Sequence, residues 1–224
     1  MNPLLLVATP IGNRQDLSER ARTAFAEADV VYAEDTRHSG RLLQHLGLRV
    51  ELRSCHDHNE RQRAQEIVEQ LEAGRRVVLI SDAGTPGIAD PGHRVVRSVL
   101  DAGLSVSMVP GASAPIMAVV LSGFATDRFV FDGWLPRRSG QLRTRIESYG
   151  DEERTVVVLE SNHRLLKSLP IFAECMPARR LAVCRELTKM HEELRRGTPA
   201  ELLEHYGARA VKGEIVIVIE GAEK

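Results

Sequence analysis

Short apolar runs alternate with stretches of helical periodicity through the first half of the chain. Leu4 to Ala8 is continuously apolar between Pro3 and Thr9-Pro10, the pattern of a strand buried on both faces. Leu17 to Ala28 carries apolar residues at helical spacing, and Val30 to Tyr32 reads as the next strand. A helix over Arg41 to Leu46, closed by Gly47, leads to a short strand at Val50 to Leu52. Asn59 stands where a cap is needed for a helix over Glu60 to Ala73, which Gly74 ends. Val77 to Ile80 is the clearest strand. After the loop Ser81 to Asp90, Asp90-Pro91 offers an N-cap with proline at the first helical position, and Gly103 closes that helix. Val106 to Val109 is another strand, and Ser113 begins a helix through Leu121.

Strands separated by helices of about 10–15 residues predict a parallel sheet with helices on both faces. From Arg128 the pattern changes. Phe129 and Phe131 alternate with smaller or polar residues, and Thr155 to Leu159, Leu181 to Cys184 and Glu214 to Ile219 read as strands. Thr198-Pro199-Ala200-Glu201 is a capping box with proline at N1, so a short helix precedes the last strand. The expected organisation is two α/β domains. Residues 1–123 are expected to form the parallel sheet with its loops, and residues 124–224 a mixed sheet.

Composition removes several classes. An apolar fraction of 43% with 27% charged residues is that of an ordinary globular chain. Thirty Lys and Arg against 31 Asp and Glu give a net charge of −1, so any nucleic-acid surface must be a local patch. Cys55, Cys175 and Cys184 form no C-x-x-C pair, which argues against a disulfide framework or a thiolate zinc site. The stretch Ala112 to Ala125 is interrupted by Ser113, Pro115, Ser122 and Gly123 and falls short of a membrane span. A soluble, cytoplasmic protein is expected.

Chemistry in an open parallel sheet collects outside the carboxyl ends of the strands. Three loops there share a Gly/Pro composition: Thr9 to Asn13, Ser81 to Gly87 and Pro110 to Ala114. Such loops also serve simply to turn the chain. None contains a lysine, and neither the Walker nor the G-x-G-x-x-G pattern occurs. Asp82 would repel a phosphate and attract a hydroxyl or a cation. A nucleoside with a positive centre, such as S-adenosylmethionine, suits these loops better than a nucleotide.

The segments VATPIGN, AEDTRHSGRLL, HDHNE, ISDAGTPGIADPG, VPGASA, RFVFDGWLPR, LESNHRL, RELTK and GEIVIVIEG run in one order from Leu4 to Gly221. In this the chain resembles the ribosomal RNA small-subunit methyltransferase I group of the tetrapyrrole methylase superfamily. The resemblance implies two α/β domains with S-adenosylmethionine in the cleft between them, usually in a homodimer. It also implies methylation of a cytidine ribose 2′-oxygen of bacterial small-subunit (16S) rRNA within the assembled subunit. By motif position it assigns the cofactor to Pro10, Ile11, Gly12, Asp82, Ala83, Thr85, Ser113, Ala114, Glu160 and Leu187. Members of the group usually continue past the last strand with a small extension, whereas this sequence stops at Lys224.

Other residues carry competing readings. His56-Asp57-His58 suggests a metal pair, but no third ligand has recognisable spacing; a helix cap or a loop bordering the RNA is the alternative. Asp35 or Thr36 can cap a helix, with Arg37 solvated or facing RNA. Methyl transfer from a sulfonium mainly needs alignment, and a proton acceptor adds about 10²–10⁴-fold. Asp35, His56, His58 and Lys189 are the candidate acceptors; Lys189, if its pKa is lowered by burial or by Arg185, ranks first and Asp35 second. Arg137, Arg138, Arg143 and Arg145 lie near Phe124, Phe129, Phe131 and Trp134, a combination that holds single-stranded RNA or merely solubilises a helix. The alternatives to an RNA methyltransferase are a tetrapyrrole C-methyltransferase, a metal hydrolase on His56 and His58, and a non-enzymatic RNA-binding module.

Overall fold

The computed structural model describes residues 2–208 and 210–223. The chain divides into two compact units, 1–113 and 114–224. The first contains β1 (Leu4–Val7), α1 (Glu19–Glu27), β2 (Val30–Ala33), α2 (Thr36–His45), β3 (Glu51–Ser54), α3 (Glu60–Glu72), β4 (Val77–Leu79), α4 (His93–Asp101) and β5 (Val106–Val109). Its five strands pair in the order β3-β2-β4-β1-β5, all parallel.

Strand alternation sorts the apolar side chains onto two faces. Leu4, Leu6, Val30, Tyr32, Val77 and Leu79 pack with Ile67 and Leu71 of α3 and with Val95 and Val99 of α4. Val7, Val31, Ala33 and Val78 pack on the opposite face with Ala21 and Phe25 of α1 and Leu43 of α2. The expected sheet with helices on both faces is therefore present.

The second unit contains α5 (Ala114–Ser122), β6 (Phe129–Trp134), α6 (Ser139–Glu147), β7 (Thr155–Ser161), α7 (Leu165–Cys175), β8 (Leu181–Arg185), β9 (Glu193–Gly197), α8 (Pro199–Gly207) and β10 (Glu214–Ile219). Its sheet runs β6-β7-β10-β8-β9, with β6 and β7 parallel and the other pairs antiparallel, the mixed sheet that was expected. The core on one face joins Ile146 of α6, Leu165 and Phe172 of α7, and Leu202 and Tyr206 of α8 to Val158, Val183 and Ile217 of the sheet. The domain boundary falls before α5 and not at Gly123, because α5 packs against β7, β8, β9 and β10. The Arg196 guanidinium fixes it there by donating to the carbonyls of Leu121 and Ser122 at its C-terminal end.

Local sequence signals agree with some element ends and not with others. Thr198 and Glu201 form the expected reciprocal capping box of α8. By contrast, α2 starts at Thr36, ahead of the expected Arg41, with Asp35 as its cap accepting from the Arg37 N–H. Asn59 precedes α3 without capping it; its amide instead accepts from the His56 N–H at 2.8 Å and donates to Ser54. Asp90-Pro91 lies in the turn before α4, whose N-cap is Gly92.

Candidate functional site

In the first unit the three Gly/Pro loops are laced into one surface at the carboxyl ends of β1, β4 and β5. Thr9 and Gly84 exchange both backbone hydrogen bonds, at 2.9 and 3.0 Å, and the Thr9 hydroxyl donates to the Ser81 carbonyl at 3.3 Å. The Thr85 hydroxyl donates to the Ala112 carbonyl at 3.1 Å, tying the second loop to the third. Gly84 sits at φ +80°, where a side chain would be strained, and a Cβ there would crowd Ile11 at 3.2 Å. A Cβ on Gly111 would lie 2.9 Å from that of Ala8. These contacts bring Ile11, Ala83, Thr85 and Ala112 together; Ile11 is buried, while Pro10, Asp82, Ala83, Thr85 and Ser113 are half-buried and Gly12 is exposed.

A fourth loop joins this surface at the end of β2. The Asp35 N–H donates to Asp82 Oδ1 at 2.9 Å, and the Asp82 N–H donates to the Glu34 carboxylate. Asp82 thus ties two loops together and caps no helix. Burial, reinforced by Asp90, Asp82 and Asp57, pushes the Glu34 carboxyl up to about 7. The sequence shows Glu34 only as part of the AEDTRHSGRLL segment. The two acids diverge because Asp35 turns onto its own helix terminus, while Glu34 stays against the other carboxylates.

Both expected proton acceptors are corrected by their surroundings. Asp35 is held down at about 2 by the Arg37 side chain and backbone N–H, which makes it a weak base and occupies Arg37 in an exposed ion pair. In the second unit, burial works to lower the Lys189 pKa, but hydrogen bonds to Glu186 and Glu214 prevail and raise it. Lys189 is therefore a fixed cation, and Arg185 is itself engaged by Glu193. Leu187 is buried between Glu186 and Thr188, both at positive φ. All the described non-glycine residues with positive φ, namely Ala89, Glu186 and Thr188, fall in the loops Ser81–Asp90 and Arg185–Lys189, where strain of this kind commonly accompanies function.

Glu160 is fully enclosed. Its carboxylate accepts from the Ser161 N–H and the Ser168 hydroxyl and pairs with Arg164, all within the second unit. Arg164 in turn donates to the carbonyls of Leu135 and Pro136, at 3.2 and 2.5 Å. Of the four expected RNA-facing arginines, Arg143 pairs with Glu174 and Arg145 with Asp132. The exposed guanidiniums of Arg137 and Arg138 have no hydrogen-bond or ion-pair partner among the described residues. Phe129 and Phe131 are half-buried, whereas Trp134 is 58% exposed.

His56 and His58 meet edge to face with ring centroids 5.9 Å apart, and His56 Nδ1 is buried without a hydrogen-bond partner among the described residues. Among those residues no three His, Cys, Asp or Glu side chains converge as a metal-binding group. Burial pushes the Cys55 and Cys184 thiols up to about 12, leaving them unreactive. No described helix is long and apolar enough to cross a membrane.

A parallel α/β unit with laced loops at its strand ends, followed by a mixed-sheet unit, defines a class that comparison identifies. Residues 3–203 match the Tetrapyrrole (Corrin/Porphyrin) Methylases. The methyltransferase CobJ has the same fold, with a TM-score of 0.72 at 19% identity over 99% of this chain and 95% of its own. Uroporphyrin-III-C-methyltransferase from Thermus thermophilus gives 0.68 at 19% identity over 97% and 94%. The ribosomal RNA small subunit methyltransferases I of Synechocystis sp. and Pasteurella multocida are each 44% identical, over 99% of this chain and 80% of their own length. The chain belongs to the tetrapyrrole methylase family and, within it, to the ribosomal RNA small subunit methyltransferase I group.

Proposed function

We propose that this protein is an S-adenosylmethionine-dependent methyltransferase acting on the 2′-hydroxyl of a cytidine in small-subunit (16S) ribosomal RNA. The observation that carries the reading is the 44% identity spanning 99% of the chain to relatives named for that RNA. The loops of the first unit fit the cofactor by their chemistry. They present backbone and carboxylate acceptors and no lysine, and Gly84 and Gly111 let the loops pack closely on one another. Asp82, Ala83 and Thr85, with Pro10, Ile11, Gly12 and Ser113, are the residues of the first unit we assign to holding it. When bound, S-adenosylmethionine supplies an electrophilic methyl group on a neutral thioether leaving group.

The chain's own part is orientation, which the laced loops provide by entering the reaction already rigid. Glu34 is assigned the ribose proton in place of Asp35 and Lys189, since an acceptor poised near neutral pH suits general-base work. Arg137 and Arg138 are assigned to RNA phosphates, and the histidines at 56 and 58 to the border of the RNA site. The enzyme is proposed to be cytoplasmic and to work as a homodimer on the assembled subunit. Light scattering should then give twice the 24.8 kDa chain mass.

The deciding experiment incubates the protein with methyl-labelled S-adenosylmethionine and unmethylated small subunits, then digests the RNA to nucleosides. Label in 2′-O-methylcytidine supports the reading. Label on a base, or only on an added tetrapyrrole, replaces it.

A further inference from the structure

The edge strand β6 changes its parity partway along. Val130 and Leu135 both pack into the core of the second unit, five positions apart, which regular alternation does not allow. Asp132 supplies the change. The register slips between Phe131 and Gly133, so Asp132 is an extra residue opposite β7, and Gly133 takes φ +71°. The bulged carboxylate accepts from the Tyr149 hydroxyl and pairs with Arg145. Without the bulge Trp134 would share the core-facing parity of Val130; with it, the indole is turned outward.

The residues that follow are held from behind. The Leu135 N–H donates to the Leu159 carbonyl at 3.1 Å, and Arg164 clasps the carbonyls of Leu135 and Pro136. Glu160, buried beneath, fixes Arg164. A large aromatic face is thus displayed at the end of β6, next to the braced Leu135-Pro136, three and four positions before two guanidiniums that no described residue neutralises. Proteins usually hide a tryptophan; an exposed one shortly before two arginines without a described partner suits a ligand that is both flat and anionic.

We propose that Trp134 is a stacking platform for an unpaired base of the RNA substrate, with Arg137 and Arg138 on the phosphates flanking that base. The inference rests on the rRNA reading and deepens it by placing one nucleotide on the second unit. It also gives Glu160 and Arg164 a part as positioning residues for that platform.

Trp134 is the sole tryptophan of the chain, so its emission reports this site alone. A single-stranded oligoribonucleotide should quench it, and inorganic polyphosphate, which offers charge without bases, should not. Trp134→Ala should weaken oligonucleotide binding, measured by anisotropy of a labelled strand, by about 5- to 100-fold. Trp134→Phe should recover part of that loss, and polyphosphate affinity should be the same in all three proteins. RNA binding without quenching, unchanged affinity in Trp134→Ala, or no RNA binding by the wild type would overturn the proposal. Methyl transfer to small subunits by the wild type is scored separately. If subunits are methylated while Trp134 stays silent, the platform fails and the rRNA reading stands; if quenching occurs without 2′-O-methylation, the reverse holds.

Discussion

Glu34 and Asp35 show how far adjacent acids diverge once each has its own surroundings. Asp35 finds the helix terminus and Arg37, whereas Glu34 is left among other carboxylates. A carboxyl raised from 4.5 to about 7 favours the folded state fully only below pH 4.5, and that advantage is lost as pH rises through about 7. Glu34→Gln, neutral at every pH, should therefore raise the thermal midpoint at pH 8. The full shift corresponds to about 3 kcal/mol, which partial solvent access reduces to nearer ~1, or a few degrees. The gain should fade toward pH 4.5 in calorimetry. The same variant should lower methyl transfer and flatten the limb of the kcat/KM profile near pH 7; a variant of undiminished activity returns Glu34 to a purely structural role. Asp82→Asn keeps an oxygen for the Asp35 N–H and removes the charge, so cofactor affinity should fall about tenfold by titration calorimetry while the fold holds.

At the scale of elements, legibility followed the range of the interactions that define each end. The capping box of α8 and the apolar run of β10 are complete within a few residues, and the sequence displays both. The start of α4 is not of that kind. Its Gly92 and Arg94 N–H groups donate to Glu60 Oε1, at 2.8 and 3.1 Å, from the first turn of α3. No local pattern reports a cap lent by another helix, so the nearby Asp90-Pro91 was the misleading signal. β9 escaped because an edge strand reading ELRRG has no apolar run, and α7 because Pro170 stands inside it. The buried Glu60 makes a sharp test. Glu60→Ala should cost about 1–3 kcal/mol by leaving one buried and one part-buried donor unmet, whereas Glu60→Gln, which retains an acceptor, should cost less than half as much in urea unfolding. Equal losses in the two variants would mean that the charge, through Arg94, matters more than the cap.

At the scale of the molecule, a chain with 30 basic and 31 acidic residues has no general attraction for RNA, so each phosphate contact must come from a cation the protein does not already neutralise. Sequence composition made Arg137, Arg138, Arg143 and Arg145 equivalent. The fold divides them, because α6 turns Arg143 toward Glu174 on α7 and Arg145 toward Asp132 on β6, while Arg137 and Arg138 precede the helix in the loop braced by Arg164. An arginine that must first break an ion pair releases little net counterion from RNA. Arg137→Gln with Arg138→Gln should therefore reduce the salt slope of single-strand binding by about 1.4, at ~0.7 per phosphate. Adding Arg143→Gln and Arg145→Gln should change that slope little further, and S-adenosylmethionine affinity should not move in either variant. The measurement is oligonucleotide affinity at several salt concentrations for the wild type, the double variant and the fourfold variant. A further fall in slope as large as the first would show that Arg143 and Arg145 exchange their carboxylates for RNA, and that pairing within the free protein does not decide which cations the substrate meets.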